Sequence, residues 1–401
     1  MSGIPRIIKS EFSTIWKLSL FSFVIAAFTG FLYRYGFLGP LPGWLHLINI
    51  RHAHSHLMFF NWITPAIMAW MAAAVISPAN GKDARQFKIC LYTMMALGFL
   101  SWPFFLLYGY RPVTIGSARL PIAAILSGMV MLSWYGFGWL YYGRRKKLQA
   151  TLPLLLFDAA LVALVVSSLG AWGVSAYQFS SLESPLISKA LTSFFLGVFT
   201  EGWVMLGVLG MIWNAAETSK TEVKAYHNWF WVPLLFGSML IFPYSLDQSI
   251  LTPPMLYSAK AGLLLILISL VLHLYGLVKT SLTSSGVWLA ILLFLGLKVL
   301  FQAGALLPTG IWPGEHGLRI LYLHLTLLGF GSAALIAAIY PASEHLAKCF
   351  YIAGAGAVLI TLGMFSGYWP KVLIPGSLIY LLAVAALLPI APLIWLLFRK
   401  V

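Results

Sequence analysis

The chain has 401 residues, of which 61% are hydrophobic and only 9% charged, with a mean hydropathy of +0.90 and a net charge of +15. This composition excludes a soluble or disordered chain and indicates an all-α polytopic membrane protein, in which the bilayer replaces much of a soluble core. The positive charge does not imply nucleic acid, because most Lys and Arg lie in short loops between apolar runs, where they set topology.

Runs of about twenty apolar residues predict twelve transmembrane helices, near 14–35, 53–77, 87–109, 119–142, 153–177, 189–214, 228–246, 257–279, 286–307, 318–341, 347–368 and 372–398. The first begins near Trp16, lacks a small-residue cleavage site and reads as a retained helix rather than a cleaved signal. The even-numbered connections carry Lys82, Arg85 and Lys88, then Arg144-Arg-Lys-Lys147, then Lys220 and Lys224, then Lys279, then Lys348. Arg6 and Lys9 precede the first helix and Arg399-Lys400 follow the last. The odd connections carry Arg51, Arg111, Arg119, Lys189 and Arg319 at helix mouths and are poorer in charge. That imbalance places both termini in the cytoplasm of a bacterial-type inner membrane, as a multi-pass protein. No linker, low-complexity tract or repeat interrupts the series, so a single transmembrane domain over 1–401 is expected.

Histidine gathers in two places: Arg51-His-Ala-His-Ser-His56 at the mouth of the second run, and His324 within the tenth. Membrane histidines are costly and commonly functional, and two imidazoles from two helices are a way to hold a haem iron. Both runs enter from the outer face under this topology. At about 1.5 Å per residue, His54 and His324 lie within roughly 10 Å of each other in depth. Cys90 and Cys349 form no Cys-x-x-Cys-His, so any haem is held non-covalently. His52 and His56 lie on a different helical face from His54. Either is an alternative ligand, and together, at i and i+4, they are spaced to bind a metal ion. Arg51 and Arg319, at the mouths of the ligand helices, are candidates to pair with haem propionates, the other reading being interfacial snorkelling.

With these residues in place, the chain resembles the large subunit of haem-copper oxidases and nitric-oxide reductases, which has twelve helices and both termini inside. The C-family oxidase pattern Arg-x-x-His fits Arg51-His-Ala-His54 in register. The family's Gly-His-Val-His-Ser-Gly-Ala-Leu-Gly-Trp compares with Leu321-Tyr-Leu-His-Leu-Thr-Leu-Leu-Gly-Phe330, which places His324 on the second histidine, partner of the helix-two ligand on a low-spin haem b. The reductases' His-x-x-x-Glu-Gly-x-Trp compares with Gly197-Val-Phe-Thr-Glu201-Gly-Trp203. The helix-two stretch is also similar to NnrS, a membrane haem family with His-Ala-His-Glu-Met near a helix start. The resemblance implies a subunit I-like bundle with one low-spin bis-His haem b in the outer leaflet. It also implies electron transfer or nitric oxide and oxygen handling, with a quinol or cytochrome donor and additional subunits as partners.

The departures remove the family's catalytic centre. Tyr322 stands where the second haem needs a histidine, Gly197 where helix six needs a metal ligand, and Phe242-Pro-Tyr-Ser-Leu-Asp-Gln248 lacks the helix-seven histidines. Copper is therefore not expected, and the chain reads as oxidoreductase-like with its catalytic metal ligands missing. Two alternatives stay open: an active oxygen or nitric-oxide reductase with a non-standard second centre, and a proton-coupled transporter without haem. Glu201, an acid inside helix six, is the candidate proton-transfer residue, or else a carboxyl bonded to a neighbouring helix. Lys260 and Lys298 read as snorkelling, Tyr322 as space filling, and His273 as bonded to a backbone carbonyl. His227, His316 and His345 read as solvated.

Overall fold

The computed structural model describes residues 8–77, 81–180, 184–216, 227–246, 250–307 and 316–401. Arg6, Lys220, Lys224, Asp247 and Gln248, and the side chains of Lys9, His227 and His316, lie outside the described residues. The chain is 83% helical, and among the described residues eleven helices are long and apolar enough to cross a membrane. They are α1 Ser10–Tyr35, α2 Leu47–Val75, α3 Gly81–Tyr108, α4 Ile122–Arg145, α5 Leu152–Gln178, α6 Pro185–Ala215, α8 Pro253–Val278, α9 Gly286–Leu306, α10 Gly317–Ile339, α11 Ala342–Phe365 and α12 Leu378–Leu397. The helix between α6 and α8 is α7, His227–Leu240, with 14 residues. The apolar run that suggests a twelfth span over 228–246 closes early because Phe242–Ser245 winds as a 3-10 turn around Pro243, which has no N–H to extend a helix. Between α3 and α4 a short hairpin pairs β1 Val113–Ile115 with β2 Ala118–Leu120, turning at Gly116 with φ of 62°. A β-carbon is unfavourable at that φ.

The helices divide into two compact units, one formed by the chain up to Leu148 together with Ile339–Val401, the other by Gln149–Ala338. In the first, α1 packs on α2 and α12, α2 on α3 and α4, and α11 on α12. Its core is aromatic: Trp62 stacks on Phe23 with centroids 4.6 Å apart and meets Trp16 at 5.5 Å. Asn49 Nδ2 donates to Leu107 O at 3.1 Å and Asn61 Nδ2 to Met95 O at 2.8 Å, tying α2 to α3. Ion pairs of Lys88 with Glu11 and of Arg144 with Asp83 join α3 to α1 and α4. In the second unit, α5 packs on α6 and α7, α7 on α8, α8 on α9, and α10 on α9 and α6.

Three helices stand apart by burial. The apolar windows of α2, α6 and α10 are 94, 83 and 72% buried, against 33 to 50% in the other eight. The same three widen into π-helical turns at their centres, over Met58–Ile63, Val198–Val204 and Leu325–Ser332. Such turns are uncommon and gather at functional positions. Here they carry Glu201 itself and follow directly on the segments that bear His54 and His324.

Candidate functional site

His54 and His324 fall in different units, so each is described in its own surroundings. In the first unit, His54 faces α1, where its Nδ1 lies 2.7 Å from Ala26 O. A carbonyl oxygen only accepts, so Nδ1 carries the proton and the lone pair sits on Nε2. The ring lies close against Gly30: a β-carbon there would stand 3.0 Å from His54 Cε1 and 3.1 Å from Nδ1. Glycine is thus what lets the imidazole approach α1. A ring whose Nδ1–H is held by a main-chain carbonyl is the arrangement that metal-ligating histidines adopt. Arg34 lies one turn beyond Gly30 in α1. Sequence reasoning overlooked it, although a cation in the last turn of the helix preceding a histidine cluster is a readable signal.

His52 and His56 face away from α1, toward α3 and the residues after it. His56 donates from Nδ1 to His52 O at 2.9 Å, its Nε2 lies 3.5 Å from Tyr110 Oη, and its ring stacks on Phe105 at 3.8 Å. His52 meets the Tyr110 ring edge-on at 4.9 Å. Both ring nitrogens of His56 therefore have partners. Burial pushes the Tyr110 phenol up to about 12, so it remains a donor toward His56 over the ordinary pH range. Arg51 is exposed at the helix mouth.

In the second unit, His324 lies 2.8 Å through Nδ1 from Ile320 O, the same tautomer as His54, with its lone pair on Nε2. Arg319 donates from Nη1 to Ser245 O at 2.7 Å, fixing the mouth of α10 to the turn after α7. His273 is completely buried. It accepts from Trp213 Nε1 at 2.8 Å through Nδ1 and donates from Nε2 to Phe230 O at 3.1 Å. With both nitrogens satisfied, it is a packing histidine that joins α8 to α6 and α7, in line with the backbone-bonded reading of the sequence.

The largest departure from the sequence reading is Lys298. It does not snorkel. Its side chain is 0% exposed, and Nζ stands 2.9 Å from Glu201, donates to Thr326 Oγ1 at 2.9 Å and donates to the Tyr322 hydroxyl. A lysine at residue 13 of the 21 in α9 is too far from either end to reach water, so it is held by three partners inside the unit. Glu201, 2% exposed, is thereby an ion-paired carboxylate. Tyr322 is a bonding partner in this cluster rather than a space filler. Among the described residues, no group of three or more His, Cys, Asp or Glu gathers as a metal site.

No family model matches the chain, and no curated protein matches it in sequence.

Proposed function

We propose that this multi-pass membrane protein holds one non-covalent low-spin haem b, with His54 and His324 supplying the axial nitrogens, and that it serves electron transfer or nitric oxide and oxygen handling. The observation that carries this reading is the shared tautomer: each imidazole gives its Nδ1–H to a main-chain carbonyl and directs its lone pair to Nε2. Gly30 and Ala26 orient the His54 ring, and Ile320 O orients His324. Arg34, Arg51 and Arg319 are the cations proposed to pair with the propionates. When bound between two imidazoles, such a haem supplies one-electron exchange without losing a ligand. The binuclear copper–haem chemistry of the resembled family is left out of the proposal, because Tyr322 is engaged by Lys298 where a second haem ligand would be needed. The protein would lie in a bacterial-type cytoplasmic membrane with both termini inside, receive electrons from a quinol or a cytochrome, and accept further subunits. The Lys298–Glu201 pair favours one other reading, proton-coupled transport without haem.

Ligand substitution tests the assignment. His54→Ala and His324→Ala abolish haem retention in protein purified from haem-replete cells, whereas His56→Ala and His273→Ala retain it at wild-type stoichiometry. If both ligand variants keep a full complement of bis-His haem, the assignment is wrong.

A further inference from the structure

We propose that His345 and Cys349 form a two-ligand site for a soft divalent cation of tetrahedral preference, zinc being the type, at the start of α11. The α-helical part of α11 begins at His345, and residues four apart are neighbours on one helix face. Here that spacing brings the side chains together: Cys349 Sγ lies 3.4 Å from His345 Nε2. Among the described residues neither side chain has a second hydrogen-bond partner, and Cys349 is in no disulfide. Thiolate and imidazole are the donors that zinc favours.

The separation is also the right bite. Zinc holds sulfur at about 2.3 Å and nitrogen at about 2.0–2.1 Å, so two such ligands at a tetrahedral angle stand about 3.5 Å apart. A linear two-coordinate ion with the same bonds would need about 4.3 Å, which the pair as it stands does not span. The neighbouring polar groups are turned elsewhere. Glu344 accepts from Trp395 Nε1 at 3.0 Å and pairs with Arg399 at 3.6 Å, while Lys348 donates to Tyr340 O at 2.9 Å. Among the described residues no third protein ligand joins the two, so water fills the remaining positions. His345 is exposed and Cys349 half-buried, which leaves the ion a way in. Binding exchanges a proton for the ion. The Cys349 S–H bond breaks and its electron pair forms the metal–sulfur bond, the Nε2 lone pair forms the metal–nitrogen bond, and the proton leaves to water. Nothing is oxidised or reduced. Cys90 offers no such pair, since its Sγ donates to Ser133 O at 3.5 Å. Neither residue takes part in the haem proposal, so the inference stands independently of it.

Alkylation read by mass spectrometry tests it. Full-length protein in detergent, stripped of metal by a chelator, is treated with iodoacetamide with and without added zinc. Zinc slows alkylation of Cys349 by about an order of magnitude, because the bound thiolate is no longer a free nucleophile, whereas Cys90 shows no zinc dependence and magnesium protects neither. In His345→Ala and His345→Gln the zinc concentration for half protection rises roughly tenfold or more, since loss of a ligand costs at least what loss of an orienting group does. A plain S–H···N hydrogen bond gives no zinc dependence. Cys349 alkylation indifferent to zinc, wild-type zinc dependence in the His345 variants, equal protection by magnesium, or a Cys349 unreactive without zinc each overturns the proposal.

Discussion

Lys298→Met lowers the stability of the protein by about 3–5 kcal/mol, the loss that follows when one partner of a buried ion pair is removed and the other stays charged in a dry interior. The loss is of that order because Lys298 and Glu201 are 0 and 2% exposed, so water cannot replace the missing ammonium. Tyr322 and Thr326 also lose a donor. Replacing both ions, as in Glu201→Leu with Lys298→Met, recovers most of the loss, because the carboxylate no longer needs a counter-charge. Chemical denaturation in detergent of the two single variants and the double variant reads this out. A snorkelling lysine would cost only roughly 0–1 kcal/mol, and a loss that small in Lys298→Met contradicts the ion-pair account.

Gly30→Val is expected to cost haem although the His54 side chain itself is unaltered. The first carbon of the new side chain would already stand 3.0 Å from His54 Cε1, and the two methyl groups beyond it force the ring off α1 and away from Ala26 O. Losing the group that orients a metal-ligating imidazole costs about 10–100-fold in affinity, so haem content in Gly30→Val falls by a comparable factor under limiting haem. Gly30→Ala, which asks the ring to yield by only a few tenths of an ångström, falls between Gly30→Val and wild type. Gly138→Ala on α4, where a β-carbon meets nothing within 4 Å, is the matched control and keeps full occupancy. Haem titration of the three variants checks this; equal affinity in Gly30→Val and wild type would show that α1 does not seat a ligand.

The spans were legible because each is one long apolar run, and a bilayer demands about twenty such residues. The hairpin Val113–Leu120 and the short α7 were not. The first needs only three paired residues a side, and the second ends at a proline inside a run that stays apolar. The π-helical turns left no trace in the sequence, since one extra residue per turn barely disturbs the apolar pattern of an already apolar helix. Glu201, His54 and His324 were legible as candidates because polar groups within such runs stand out. The sequence could not say which of His52, His54 and His56 turns toward α1, a matter of which neighbour packs where. Nor could it join Lys298 to Glu201, which lie 97 positions apart. The sequence offers Lys298 no partner, and only packing supplies the three it has.

The most direct test of the haem proposal is the absorption spectrum of the purified, dithionite-reduced protein, taken with a haem-to-chain ratio. One haem per chain with sharp low-spin b-type bands, unmoved by carbon monoxide, is the expected result. A protein free of haem, or one carrying two haems with a carbon-monoxide shift, contradicts it.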